Sequence, residues 1–373
     1  MLIGIDIRCL LEAQPSGVSF YTQNLLDNLL RLNTEHDYLL FYNSFQPVHK
    51  EIISRLSKYP RVQIKKFSYP NKLFNFFTNF LHWPKIDKLI GGVDVFFAPN
   101  LQFISLSKEC RVVVTVHDLS FNLFPHFLSF KRKLWHKLIN PKKFIQTADK
   151  IIADSFNTKK DLISLFQISE NKIEVVHLGG SIKNENNNSE SFSGSLPQNY
   201  ILSVSTLEPR KNISGLIDAF NIVSASPNNF DLHLLIVGPA GWKNSDIYNK
   251  SKNNSKIIFL GFVDEKEKTA LYKNARAFIY PTFYEGFGLP PLEAMNYHVP
   301  IIASYNSSLP EVLGSSALYV NPYNTQEIVV AINAVLFDLN LKNNLLAGAQ
   351  EQMKKFSWSK TAVETLNIFN ALV

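Results

Sequence analysis

The stretch YPTFYEGFGLPPLEAM, Tyr280–Met295, reads as a strand, a glycine-bearing loop and a helix in succession. The apolar run Arg276–Tyr280 supplies the strand, and Pro290 and Pro291 fall in the first turn of the helix. Proline is tolerated there because a first-turn N–H has no intrahelical partner to lose. Gly286 and Gly288 permit close backbone approach and unusual dihedrals. With Phe287 and Leu289 they form a loop opening a helix, where unpaired N–H groups and the positive end of the dipole suit phosphate. Two carboxylates bracket the loop, Glu285 within it and Glu293 inside the helix. An ionised carboxylate only accepts hydrogen bonds, so both suit a ligand rich in hydroxyls. A plainer account has Glu285 capping the helix and Glu293 solvated on the surface.

Outward from this unit, short β-rich runs alternate with helical stretches along the whole chain. LIGIDIR, HDYLLFYN, RVQIKKF, DVFFAP, RVVVTVHD, KIIADS and KIEVVHLG read as strands in the first half. Between them lie helical segments such as 17–33, where Phe20, Leu25, Leu29 and Leu32 recur at helical spacing. The polar stretch SIKNENNNSESFSGSLPQN, 181–199, then breaks the pattern as a linker does. After it YILSVST, LHLLIVG, KIIFLG, RAFIYP and VPIIAS resume the alternation. Strands alternating with helices imply parallel, doubly wound sheets. The expected α/β architecture is two Rossmann-like domains, 1–182 and 199–355, joined by a linker at 183–198 and facing each other across a cleft. Ligands bind such sheets beyond the carboxyl ends of the strands, which is where functional residues are sought.

Composition narrows the function classes. A chain of 373 residues, 46% hydrophobic and 18% charged, is globular and long enough for two cores. Cys9 and Cys110 sit in apolar, strand-like contexts and read as two buried thiols of a reducing compartment. Asp6 and Arg8 interrupt the apolar start, no apolar run approaches a bilayer span, and a cytoplasmic location is expected. The net charge of +7 lies largely in two stretches, 71–88 and 121–143, that mix cations with Phe, Trp and Leu. Two readings stand side by side: a peripheral surface for an anionic membrane, or amphipathic helices with their aromatics packed inward. Nucleic acid is not expected, since no recognisable binding signature accompanies the cations.

Several separate segments resemble the retaining glycosyltransferases of family 4, which have the GT-B fold. YPTFYEGFGLPPLEAM resembles that family's Glu-x7-Glu motif. SVSTLEPRKN, Ser203–Asn212, resembles its donor-phosphate element, with Arg210 and Lys211 after the first strand of the second domain. Cations at a helix start oppose the dipole, so a bound anion is the expected reason for them. LGFV, Leu260–Val263, is similar to the loop that reads the base through backbone near Phe262 and Val263. PSGVSFY, Pro15–Tyr21, resembles the glycine loop that approaches donor phosphate and acceptor, and Gly17 is its candidate residue. TVHDL, Thr115–Leu119, resembles the His-Asp element, in which His117 contacts the transferred sugar and Asp118 supports it. FSWSKTAVETLNIF resembles the C-terminal helix, expected over 356–373 and crossing back to the first domain.

The resemblance implies an enzyme that moves a hexose, best matched by mannose from GDP-mannose, onto a saccharide or lipid-linked oligosaccharide acceptor. Donor-binding roles fall on Gly17, Phe262, Val263, Gly286, Phe287, Gly288, Leu289 and Glu293. Catalytic roles fall on His117, Arg210, Lys211 and Glu285. A UDP-sugar or dTDP-rhamnose donor, and a non-catalytic membrane-associated scaffold, are the competing readings. No cofactor and no metal are expected: the chain has no Asp-x-Asp, and Arg210 and Lys211 supply the positive charge.

Overall fold

The computed structural model describes residues 1–12, 16–32, 35–45, 50–180, 192, 194 and 196–372. Most of the linker expected at 183–198, and Pro15 of the glycine loop, lie outside the described residues. The chain divides into two compact units, one of Met1–Leu119, Phe130–Gly179 and Ser357–Val373, the other of Ser120–Ser129 and Gly180–Phe356.

Among the described residues, the first unit holds a seven-stranded parallel sheet. Its strands are β1 (Leu2–Asp6), β2 (Asp37–Asn43), β3 (Val62–Phe67), β4 (Val95–Ala98), β5 (Arg111–Val116), β6 (Lys150–Ala153) and β7 (Ile173–Val175). They lie in the order β3-β2-β1-β4-β5-β6-β7. The central strands are near-continuous apolar runs because helices cover both faces of such a sheet; Ile3, Ile5, Phe96, Phe97, Val113 and Val114 are fully buried. The helix Gly17–Arg31 starts at a capping box in which the Ser16 hydroxyl accepts from Ser19 N and the Ser19 hydroxyl accepts from Ser16 N. Its buried Tyr21, Leu25, Leu26 and Leu29 follow helical spacing.

The second unit holds a six-stranded sheet built the same way. Its strands are β8 (Tyr200–Val204), β9 (His233–Val237), β10 (Ile257–Gly261), β11 (Phe278–Tyr280), β12 (Ile301–Ser304) and β13 (Ala317–Val320), in the order β10-β9-β8-β11-β12-β13. The edge strand β13 was not expected from sequence; it is four residues long and lies between a Gly-Ser turn and Asn-Pro. In each sheet the strand order reverses direction beside the first strand, at β1/β4 and at β8/β11. Loops leaving such a pair diverge and open a crevice at the carboxyl ends.

Three expectations need correction. Cys9 lies in a 3-10 turn, Arg8–Leu11, rather than a strand. It and Cys110 are free, and burial pushes each thiol up to about 12, so neither is a thiolate at neutral pH. The first domain does not run unbroken to 182, because Ser120–Ser129 belongs to the second unit. There Trp242 Nε1 donates to the Phe127 carbonyl at 2.6 Å, and the Phe127 ring stacks on Phe283 at 5.5 Å. The basic stretch 121–143 is therefore divided between the units.

The last helix, Trp358–Asn370, is part of the first unit. Thr361 donates to the His177 carbonyl at 2.7 Å, and Phe369 is buried against Phe97. Gly179 makes this approach feasible: a Cβ there would stand 2.2 Å from the backbone N of Trp358.

Candidate active site

The reversal at β8/β11 assembles the main cluster. The loop after β8 carries Glu208, Arg210 and Lys211, the last two in a 3-10 turn, Pro209–Lys211. The loop after the neighbouring β11 carries Tyr284 and Glu285. Phe283 N donates to the Arg210 carbonyl at 2.9 Å, joining the two loops through backbone. Glu285 then sits between both cations, with Oε2 3.1 Å from Arg210 Nη1 and Oε1 2.7 Å from Lys211 Nζ. Arg210 also donates to the Tyr284 carbonyl at 2.7 Å and to Glu208 Oε1 at 2.9 Å. Lys211 Nζ donates to the Tyr280 hydroxyl at 2.9 Å.

All these groups are largely withdrawn from water, with Glu208 and Glu285 at 4% and 6% exposure. Burial, with the charge of Arg210 added to it, holds Lys211 below the ordinary lysine range despite Glu285. Burial and the nearby Glu285 push the Tyr280 hydroxyl well above its usual range. The expectation that a bound anion is the better explanation of cations at this position gains a rival within the chain. Glu208 and Glu285 already answer them within the chain.

Gly288 begins the helix Leu289–Asn296 at a φ of +107°, a conformation that favours glycine, and a Cβ would meet Leu309 at 2.8 Å. Gly286, Phe287 and Gly288 are buried, and the Ser308 hydroxyl fastens the loop to the Glu285 and Phe287 carbonyls. Glu293 is a buried residue rather than a solvated one, and Glu285 is not the helix cap. Lys268 Nζ lies 3.0 Å from Glu293 Oε1, and the Tyr272 hydroxyl donates to Oε2 at 3.1 Å. Burial raises the Glu293 carboxyl above its usual range, with Lys268 opposing. Lys268 itself is disfavoured by burial, yet Glu293 and Glu265 more than offset this and raise it.

Lys268 and Tyr272 occupy one face of the helix Glu265–Asn274, which leaves β10 directly after Phe262 and Val263. Phe262 is about half exposed and Gly261 before it has a φ of +69°. One helix therefore connects the proposed base-reading loop to the carboxylate assigned to the ribose.

In the first unit, β5 and β6 pair with Val116 opposite Ala153, so the next residues, His117 and Asp154, emerge side by side. His117 Nδ1 is 2.6 Å from Asp154 Oδ2, and Nε2 is 2.9 Å from the Pro99 carbonyl. A carbonyl can only accept, so Nε2 carries a proton, and the carboxylate favours a second on Nδ1. Burial works to lower the His117 pKa, but Asp154 outweighs it and the net direction is upward. The acid hydrogen-bonded to His117 is Asp154, and the adjacent Asp118 adds a smaller charge effect in the same direction. Both ring nitrogens are engaged inside the unit, so neither is turned to a sugar in this arrangement. Tyr21 closes the environment, its ring edge-on to His117 at 4.9 Å and its hydroxyl 3.0 Å from Thr115.

Gly17 is the first residue of its helix; a Cβ there meets nothing within 4 Å. The described chain itself does not demand glycine at that position.

Sequence reasoning missed Glu208, Tyr280, Lys268, Tyr272 and Asp154. Each partners a residue far away in the chain, or across a loop whose path the sequence does not display. The one local signal was the four-residue spacing of Lys268 and Tyr272, which places both on one helical face.

With this geometry in view, similarity to known proteins decides the family. Residues 184–352 match the family model Glycosyl transferases group 1, and residues 15–180 match Glycosyltransferase Family 4. The chain is 30% identical over 295 residues to O-antigen chain mannosyltransferase B of Escherichia coli, covering 74% of each chain. It is a glycosyltransferase of the family 4 type. A second relative of this glycosyltransferase, O-antigen chain mannosyltransferase RfbU of Salmonella typhimurium, is 30% identical over 211 residues, 56% of each chain. The GT-B fold is shared with sucrose-phosphate synthase from Thermosynechococcus elongatus, at TM-score 0.72 and 18% identity over 100% of this chain and 99% of that one. It is likewise shared with Anabaena Alr3699/HepE in complex with UDP and glucose, at TM-score 0.70 and 18% identity over the whole of both chains.

Proposed function

We propose that the enzyme transfers mannose from GDP-mannose, with retention of configuration, onto a saccharide acceptor carried on lipid, in the synthesis of a surface polysaccharide. The observation that carries the reading is the half-buried pair Arg210 and Lys211 beside Glu285. Two adjacent cations drawn partly out of water repel one another, and Lys211 lies below its ordinary range partly for that reason. A nucleoside diphosphate relieves this repulsion and meets preorganised positive charge as it leaves, the largest electrostatic demand of the reaction. The names of the Escherichia coli and Salmonella relatives support mannose and O-antigen-like products. The UDP complex of a structural neighbour keeps UDP-sugars as the alternative donors.

In this reading Arg210 and Lys211 hold the diphosphate, Glu293 takes the ribose hydroxyls, and the backbone at Phe262 and Val263 reads the base. Glu285 orients the sugar hydroxyls while spacing the cations. The acceptor hydroxyl attacks from the face the diphosphate leaves, and that diphosphate takes its proton. A covalent route through Glu285 is disfavoured, because a carboxylate held by a cation at each oxygen is a weak nucleophile. Catalysis then rests on positioning and charge, without a metal. A peripheral site at the inner membrane face fits an acceptor carried on lipid.

Thermal-shift titration with GDP, UDP and dTDP, beside Glu293→Ala, tests the donor site. A shift with GDP that shrinks in the variant is expected. No shift with any nucleotide would leave the scaffold reading in its place.

A further inference from the structure

Two stretches of the first unit turn apolar side chains toward solvent among cations. In the helix Asn71–Phe76 and the π-helical turn Phe77–Leu81 that continues it, Phe74 and Thr78 are the buried residues: Phe74 anchors the segment in the core beside Phe41, and the Thr78 hydroxyl donates to the Phe74 carbonyl at 2.9 Å. Leu73, Phe76 and Phe80 are each more than half exposed, and the stripe continues through Leu81 to Trp83, which is 64% exposed. The core therefore holds this segment by one ring and leaves the rest of its apolar side chains facing solvent. The helix Phe130–Ile139 repeats it: Phe130, 80% exposed, is followed at four-residue spacing by Leu134 and Leu138, also exposed, while Ile139 is buried.

Both stretches belong to the first unit, and the loop 103–105 touches the second stretch and the residue that follows the first by three positions. Trp135 packs edge-on against Phe103 at 6.2 Å, and two residues further along that loop the Ser105 carbonyl accepts from Ile86 N at 2.8 Å. Single exposed hydrophobic residues are ordinary, whereas a contiguous group marks an interaction surface.

Charge selects the partner. Residues 52–86 contain no Asp or Glu, and neither do residues 119–148. Lys72, Lys88, Lys131, Lys133 and Lys137 are exposed on or beside these stripes. A second copy of this face would set cations against cations. An acidic protein would have to bring carboxylates against Phe and Trp rings. An anionic bilayer answers both features, offering phosphates to the lysines and an apolar boundary to the rings. Among the described residues no single helix is long and apolar enough to cross a bilayer.

We propose that this face docks the enzyme onto anionic phospholipid, with Phe76, Phe80, Trp83, Phe130 and Leu134 entering the headgroup boundary and the lysines on the phosphates. The proposal rests on the functional reading only for its purpose, access to a lipid-borne acceptor; the docking itself stands on exposure and charge.

The test is flotation of the full chain with vesicles of phosphatidylglycerol in phosphatidylcholine, against phosphatidylcholine alone, at low and high salt. Binding is expected only with the anionic lipid, weakened by salt. A Lys131→Glu/Lys133→Glu variant should bind on the order of tenfold more weakly. A Phe80→Ser/Trp83→Ser variant should do likewise, and brominated acyl chains should quench Trp fluorescence in the wild type but less in Trp83→Phe/Trp135→Phe. Unchanged thermal midpoints and nucleotide-induced shifts in these variants exclude misfolding. Equal binding to both lipids, no binding at low salt, or self-association abolished by Phe80→Ser/Trp83→Ser would each overturn the proposal. Vesicle binding by a wild-type protein that responds to no nucleotide would instead leave docking intact and remove the proposed donor site.

Discussion

The charged cluster of the second sheet and the histidine pair of the first are built by the same rule and end in opposite states. Both form beyond the carboxyl ends of neighbouring parallel strands, from loop residues at β8/β11 and from the first residues after the strands at β5/β6. At β8/β11 the loops bring two cations onto one carboxylate, with Glu208 behind, and like charges remain pressed together. At β5/β6 a single His meets a single Asp, and the remaining ring nitrogen is closed by a backbone carbonyl. In the proposed function the first arrangement takes up an anion beside cations that Glu208 and Glu285 pair, whereas both ring nitrogens of the second are held within its unit. What a residue near a strand end meets depends on what the adjacent strand contributes.

The sharpest way to break this contrast is Glu285→Gln, which leaves both cations but removes the charge between them. Transfer activity, read as kcat/KM, should fall by about 100- to 1000-fold. Nucleoside diphosphate affinity should hold or rise, because no carboxylate competes for Arg210 and Lys211. Lys211→Ala should lower both together. If Glu285→Gln loses nucleotide binding as Lys211→Ala does, the cluster is a structural network rather than an anion site.

Asp154→Asn probes the closed pair. It should cost about 2 kcal/mol of unfolding free energy in denaturant titration near pH 6, less than for a fully buried pair because the His117 ring it strips of a counter-charge is 22% exposed. The sign of the pH dependence follows from the raised His117 pKa. Its stabilising contribution is full below the ordinary histidine value of 6.5 and fades as pH rises through the folded value. The gap between wild type and Asp154→Asn should therefore narrow toward alkaline pH; a gap that widens would mean His117 is neutral when folded.

Lys268→Met is a gentler test of whether Glu293 belongs with the open cluster or with the closed type. Without Lys268 the carboxyl should rise further in pKa and nucleotide binding weaken about tenfold, roughly 1.4 kcal/mol, with kcat little changed. The smallest expected effect is that of EDTA, which should leave activity intact if Arg210 and Lys211 neutralise the leaving group. Abolition by EDTA with rescue by magnesium or manganese would count against that role.

The order of strands and helices was legible in the sequence because buried parallel strands need unbroken apolar runs, and turn residues mark their ends. LIGID and YILSV read as core strands on that ground alone. The glycine loop at 286–288 was legible too, since its two glycines and the following prolines constrain the backbone locally. The edge strand β13 was not, although strands as short as the three-residue β7 and β11 were.

In the candidate site, Arg210, Lys211, Glu285 and His117 could be placed after strands from the order of apolar runs and turns alone. Their partners follow from which strands lie side by side. The Glu285 salt bridges depend on β8 lying beside β11, and the His117–Asp154 pair depends on the β5/β6 register. The outward turn of the stripe from Leu73 to Trp83 was likewise beyond the sequence. Periodicity locates a helical face, but which way that face points depends on what packs against it, and that is settled between segments rather than within one.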